Sequence, residues 1–101
     1  MSAQNITIVG AGMSGLAAAL AFARNGHEVD IVEQTGTLSE VGAGLQISPN
    51  ASRILIELGL GDQLAASMIC PEQISLVSGQ SLRKITHVPC GKFAADRWSA
   101  L

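Results

Sequence analysis

Residues 5–33 read NITIVGAGMSGLAAALAFARNGHEVDIVE, and the change of period inside this stretch decides the fold. Asn5–Val9 is a β-branched run closed by Gly10, the pattern of a short strand buried on both faces. From Met13 to Asn25 the residues Leu16, Leu20 and Ala23 recur at helical spacing on an alanine-rich background, and Asn25-Gly26 supplies a left-handed stop. Glu28 to Glu33 returns to an extended pattern, with Val29, Ile31 and Val32 forming a second buried strand. Strand, helix and strand in this order make one crossover unit, right-handed by rule.

The turn that joins the first strand to the helix, Gly10-Ala11-Gly12-Met13-Ser14-Gly15, has the spacing G-x-G-x-x-G. Gly10 makes the tight turn, Gly12 lets the backbone come close to a pyrophosphate, and Gly15 permits close packing of helix on strand. Backbone N–H groups at Met13, Ser14 and Gly15 then meet phosphate oxygens, assisted by the helix dipole. The hexapeptide alone is a weak signal. Its context strengthens it, because 18 residues beyond Gly15 the second strand ends at Glu33. A carboxylate there accepts hydrogen bonds from both ribose hydroxyls and repels a 2′-phosphate. The blander reading, a solvated glutamate at a strand end, leaves the glycine spacing unexplained.

Bulk composition limits the alternatives. A chain of 101 residues holds one small domain, and 48% hydrophobic against 14% charged residues makes it apolar enough to fold. The net charge of −2 offers no footprint for nucleic acid or an anionic membrane, so any anion must be held by local donors. Cys70 and Cys90 are too few for a disulfide scaffold or a metal site and read as free thiols of a reducing compartment. Ile6 to Ala23 is 18 residues without charge. No basic residue precedes it, and Gly10, Gly12 and Gly15 interrupt it, which argues against a signal peptide or a span. The expected location is cytoplasmic.

Beyond Glu33, residues 36–46 form a glycine-rich loop, with Leu45 to Ile47 extended enough for a brief strand. Ser48-Pro49 predicts an N-cap and first helical turn, with Ala51, Ile54, Leu55 and Leu58 on one face until Gly59. Asp62 caps a short further helix to Met68. Gln73 to Val77 and Leu82 to Val88 alternate as two strands of a hairpin turning at Ser78-Gly79-Gln80. His27 and His87 read as solvated or structural, Arg83-Lys84 is too short for an anion patch, and Trp98 reads as a packing anchor. The expected fold class is therefore α/β, a Rossmann-like FAD/NAD(P)-binding βαβ unit with an added helix and β-hairpin, in an incomplete doubly wound sheet.

The segment Glu40-Val41-Gly42-Ala43-Gly44-Leu45-Gln46-Ile47-Ser48-Pro49-Asn50-Ala51, preceded by Glu33-Gln34, resembles the FAD-dependent aromatic-ring hydroxylases of the salicylate hydroxylase and 6-hydroxynicotinate monooxygenase type. The resemblance runs from Ile6 to about Leu101. It implies residues 1–101 as the N-terminal part of an FAD-binding domain. The activity it implies is hydroxylation of a small aromatic substrate with NAD(P)H and oxygen. The cofactor contacts it implies are Gly10, Gly12, Met13, Ser14, Gly15, Glu33, Gln34, Gly44, Leu45 and Gln46. Some relatives place a catalytic histidine where this chain has Gln46, and an amide cannot titrate, so that role does not transfer. The family's H-R-x-D-L segment and its later Gly-Asp motif have no counterpart here, since neither His27 nor His87 precedes an arginine and Gly61-Asp62 sits in a turn before a short helix. These departures imply a truncated chain that is inactive alone, with no catalytic residue assigned.

Two other readings stay open on the residues alone: a NAD-binding module of a dehydrogenase, and a non-enzymatic remnant that self-associates. The second follows from topology. The first strand of a doubly wound sheet is central, yet only one parallel neighbour is evident, so Ile6–Val9 presents an apolar edge that favours a homo-oligomer.

Overall fold

The structure is a computed structural model that describes residues 2–40, 42 and 44–98. It divides into two compact units, residues 1–45 and 46–101. In the first, β1 (Asn5–Val9) and β2 (Glu28–Val32) are parallel neighbours joined through α1 (Met13–Arg24). Their register sets Ile6 beside Val29 and Ile8 beside Ile31, with Thr7 beside Asp30 and Val9 beside Val32 on the opposite face.

Only the first of these faces is covered. Ile6, Ile8 and Val29 are half-buried, whereas Val9 is 86% exposed. The expectation of strands buried on both faces is corrected here: α1 shields one side, and Asn5, Thr7, Glu28 and Asp30 give the other an open, largely polar surface. Helix α1 lies close to the strands through its small residues, with Gly15 half-buried and Ala19 buried. Large side chains at those positions would hold the helix away from the sheet.

The helix ends where its residues dictate. Gly26 takes φ 83°, its N–H bonds to the carbonyl of Ala23, and the N–H of His27 bonds to that of Phe22. This is the paired closure that a left-handed glycine permits. His27 is half-buried and structural: its Nδ1 accepts the N–H of Gln4 at 3.2 Å, and its ring meets Phe22 edge-on.

In the second unit, α2 (Pro49–Leu55) starts after Ser48 as the sequence predicts, but no side chain caps it. The Ser48 hydroxyl instead bonds to the Asn50 side chain. A π-helical turn, Ile56–Leu60, leads into α3 (Gly61–Ser67), and Gly59 breaks the path with φ 87°. Asp62 lies in the first turn of α3 and does not cap it; the N-cap position is Leu60. Residues 45–47 form no strand.

Strands β3 (Gln73–Val77) and β4 (Lys84–Pro89) pair antiparallel, as the alternation predicts. The turn is longer than Ser78-Gly79-Gln80, because Ser78 N–H bonds to the Arg83 carbonyl and Leu82 N–H to that of Ser78. Leu76 faces Thr86 and Val77 faces Lys84, which leaves Ile85 as the extra residue of a bulge. A last helix, α4 (Lys92–Trp98), has no counterpart in the sequence reading. The Trp98 side chain, with its expected anchoring role, and Val41, Ala43 and Leu101 lie outside the described residues. No helix among the described residues is long and apolar enough to cross a membrane. Both thiols are free.

Candidate functional site

The chemistry concentrates at the carboxyl ends of β1 and β2, where the glycine turn crosses into α1. Gly10 has φ 101°, a conformation that side chains rarely adopt, and its N–H extends the ladder to the Val32 carbonyl at 2.7 Å. Gly15 is required by contact: a Cβ there would overlap the Gly10 carbonyl oxygen and lie 3.5 Å from the Ile8 side chain.

Gly12 is different. Its φ of −74° suits any residue, and a Cβ built on it meets no atom beyond its immediate chain neighbours within 4 Å. Nothing in the fold asks for glycine at this position. It is also the N-cap of α1, with no side-chain cap and no acidic residue in the first turn. The first-turn N–H groups, Met13 to Gly15, therefore face an open space with their donor capacity uncommitted to a capping side chain.

Glu33 closes the other side. Its Oε2 accepts the Ala11 N–H at 2.7 Å, and its Oε1 accepts the Thr35 N–H at 3.2 Å. The Ala11 bond, and then the Thr35 bond, hold its carboxyl below the usual glutamate range. A carboxylate has about four lone-pair positions, so two donors leave acceptor capacity on both oxygens.

The Ala11 bond thus places Glu33 beside the turn that carries Gly10, Gly12, Met13, Ser14 and Gly15. Gln34 is exposed in the bend after β2. Gly44 and Leu45 lie in exposed irregular chain at the end of the first unit, and Gln46 starts the second. Sequence reasoning missed Ala11 and Thr35. Their contribution is a backbone N–H, which residue type does not reveal. No group of three or more metal-ligating side chains occurs among the described residues.

A parallel strand pair, a G-x-G-x-x-G turn that opens a helix, and a carboxylate on the second strand end occur together here. Residues 8–42 match the family of NAD(P)-binding Rossmann-like domains. The first unit is a Rossmann-like dinucleotide-binding domain.

Similarity to curated proteins extends beyond this Rossmann-like domain. The chain is 38% identical over 85 residues to 3-hydroxybenzoate 6-hydroxylase 1 of Aquipseudomonas alcaligenes, covering 84% of this chain and 22% of that protein. It is 32% identical over 95 residues to 6-hydroxynicotinate 3-monooxygenase of Bordetella bronchiseptica, covering 94% of this chain and 25% of that one. The FAD-dependent monooxygenase OpS4 of Beauveria bassiana is 36% identical over 72 residues, 71% of this chain and 17% of its own. The resemblance to aromatic-ring monooxygenases is thereby shown for this segment. The matches span about a quarter or less of the length of these relatives.

Proposed function

We propose that the Rossmann-like domain of this chain holds the adenosine diphosphate portion of FAD, as the opening part of an aromatic-ring monooxygenase. The observation that carries the reading is the G-x-G-x-x-G turn at the uncapped start of α1 with Glu33 bonded to its Ala11 N–H, where Gly12 adds room because no atom beyond its chain neighbours lies within 4 Å of a Cβ built on it. A diphosphate is the group that such a space suits, because uncapped helix N–H groups border it. FAD rather than NAD is favoured by the Glu40–Ala51 resemblance and by the similarity to the FAD-dependent monooxygenase OpS4.

In this reading Gly12 lets the diphosphate approach the backbone, and the N–H groups of Met13, Ser14 and Gly15 donate to its oxygens. Glu33 uses its remaining acceptor positions for the ribose hydroxyls. Gln34, Gly44 and Leu45 border the rest of the cofactor, and Gln46 orients flavin or substrate through its amide without moving a proton. The cofactor, when bound, supplies the electron transfer to oxygen that ring hydroxylation needs, with NAD(P)H as reductant. The aromatic substrate belongs to the activity of the whole enzyme. The reducing chemistry and the free thiols fit a cytoplasmic protein, and the outer edge of β1 fits self-association.

A second reading, a NAD-binding module of a dehydrogenase, is favoured by the NAD(P)-binding family that residues 8–42 match. Calorimetric titration of the chain with FAD, NAD and ADP separates the two. Tighter binding of FAD than of NAD supports the flavin reading, equal or tighter binding of NAD supports the second, and binding of none of the three overturns both.

A further inference from the structure

Ala11 lies between the two glycines that the dinucleotide reading uses, yet its own N–H does not face the open cradle. It is committed to Glu33 Oε2 at 2.7 Å, across 22 residues of sequence. The same carboxylate reaches the Thr35 N–H through Oε1. One exposed side chain therefore ties the glycine turn to the bend that follows β2. Gly10 is tied to the same strand end by its N–H to the Val32 carbonyl. Two adjacent peptide units of the turn are thus fastened to β2, one through backbone and one through the Glu33 side chain.

We infer that Glu33 is a positioning residue for the phosphate-binding turn, acting through the Ala11 N–H, in addition to its role as a ribose acceptor. The inference rests on the diphosphate reading above. Its physical content is preorganisation. A glycine-rich turn is flexible when free, and binding would otherwise have to order it. With Ala11 held, the N–H groups of Gly12 to Gly15 are fixed in direction before an anion arrives, and the donors left for phosphate start at Gly12. The reduced proton affinity of Glu33 agrees, since the carboxylate form is the one that accepts both N–H groups. The consequence is that Glu33 influences ligands that have no ribose.

The test uses the isotope-labelled full chain, with Glu33→Ala and Glu33→Gln as variants and circular dichroism to verify that each folds. Amide exchange at Ala11 and Thr35 is measured first without ligand. Inorganic pyrophosphate and ADP are then titrated separately, following the Gly12 to Gly15 amide resonances. Protection at Ala11 should fall in Glu33→Ala, and its affinity for pyrophosphate should lie about three- to fivefold below that of Glu33→Gln, which has the same charge and keeps an acceptor for the Ala11 N–H, the worth of one ordinary hydrogen bond. ADP should lose more, because the ribose acceptor goes as well. Glu33→Gln should retain part of the Ala11 protection, since an amide oxygen still accepts the Ala11 N–H; if Glu33→Ala fails to fold, this variant carries the comparison. Equal pyrophosphate affinity in the two variants in the presence of weakened ADP binding would confine Glu33 to the ribose and overturn the inference, as would Ala11 protection equal to wild type. A wild-type chain whose resonances move with neither ligand overturns the diphosphate reading itself.

Discussion

Replacing Gly12 by alanine separates what the fold needs from what the ligand needs. The added methyl group meets no atom beyond its immediate chain neighbours within 4 Å, and φ of −74° is ordinary for alanine. Removing glycine's freedom in the unfolded chain stabilises by about 0.4–1 kcal/mol. Alanine is a poorer N-cap than glycine, which offsets this by a similar amount, roughly 0.5–1 kcal/mol. The net effect on folding should therefore lie within about 0.5 kcal/mol of zero. Gly15→Ala is the contrast: its Cβ overlaps a backbone carbonyl oxygen, which cannot swing aside as a side-chain tip does. Overpacking of this kind costs about 1–3 kcal/mol. The gain in helix propensity returns only about 1 kcal/mol of it. Binding should reverse the order of effect for Gly12, whose methyl group fills the diphosphate cradle and should cost at least about tenfold in FAD affinity. Urea unfolding followed through the amide signals of Ile8 and Ala19 reports the first unit, and calorimetric titration reports the cofactor. A Gly12→Ala chain that loses as much stability as Gly15→Ala, or that binds FAD with unchanged affinity, would refute the assignment of this space to a ligand.

The lowered proton affinity of Glu33 sets a pH dependence. Its stabilising contribution is complete above the ordinary glutamate range and is lost as pH falls through the lowered native value, and a carboxyl NMR titration with a midpoint at or above that range would contradict it. The same carboxylate should make 2′,5′-ADP bind at least about tenfold more weakly than 5′-AMP, from which it differs only by the 2′-phosphate, and Glu33→Gln should narrow the gap, as competition titrations can read. Leu82 takes φ 55° while 77% exposed, so Leu82→Asn should stabilise the β3–β4 hairpin by about 1 kcal/mol, and a lower denaturation midpoint would count against the strain. Size-exclusion chromatography with light scattering should give a dimer or larger species at micromolar concentration, and a monomer would remove the case for pairing at the β1 edge.

The first thirty-three residues were legible because several signals coincide there. The period shifts from strand to helix to strand, and glycine stands where φ is positive at Gly10 and Gly26, so β1 falls on the predicted residues and α1 ends where the Asn25-Gly26 signal sets it. Farther on, single signals mislead. Ser48 occupies the N-cap position but its hydroxyl prefers Asn50, since a side chain with two nearby partners is not assigned by position alone. Gly59 correctly marks the break after α2, yet the chain re-enters a helix at Gly61, two residues before the aspartate-based signal would allow a first turn to follow a cap. Helix α4 is only seven residues long, too short for its spacing to rise above chance. In the site, side-chain chemistry at Glu33 was readable, whereas the donors that bind it were not, because Ala11 and Thr35 act through their backbone.

An acidic chain that takes up a diphosphate has a local difficulty at Glu33. A carboxylate suited to the ribose hydroxyls carries its charge close to the phosphates, and two like charges at a shared site repel. The Ala11 bond reduces the conflict in two ways. It directs a partial positive charge onto the oxygen nearest the turn, and it fixes the carboxylate on the β2 side of the loop instead of leaving it free to swing over the cradle. The helix N-terminus then supplies the opposing field from the far side, with no acidic residue in its first turn to weaken it. Under the proposed FAD reading the resulting selectivity is positional: an unmodified ribose gains an acceptor, while an additional phosphate on the same ribose meets a charge that the Ala11 bond holds in place.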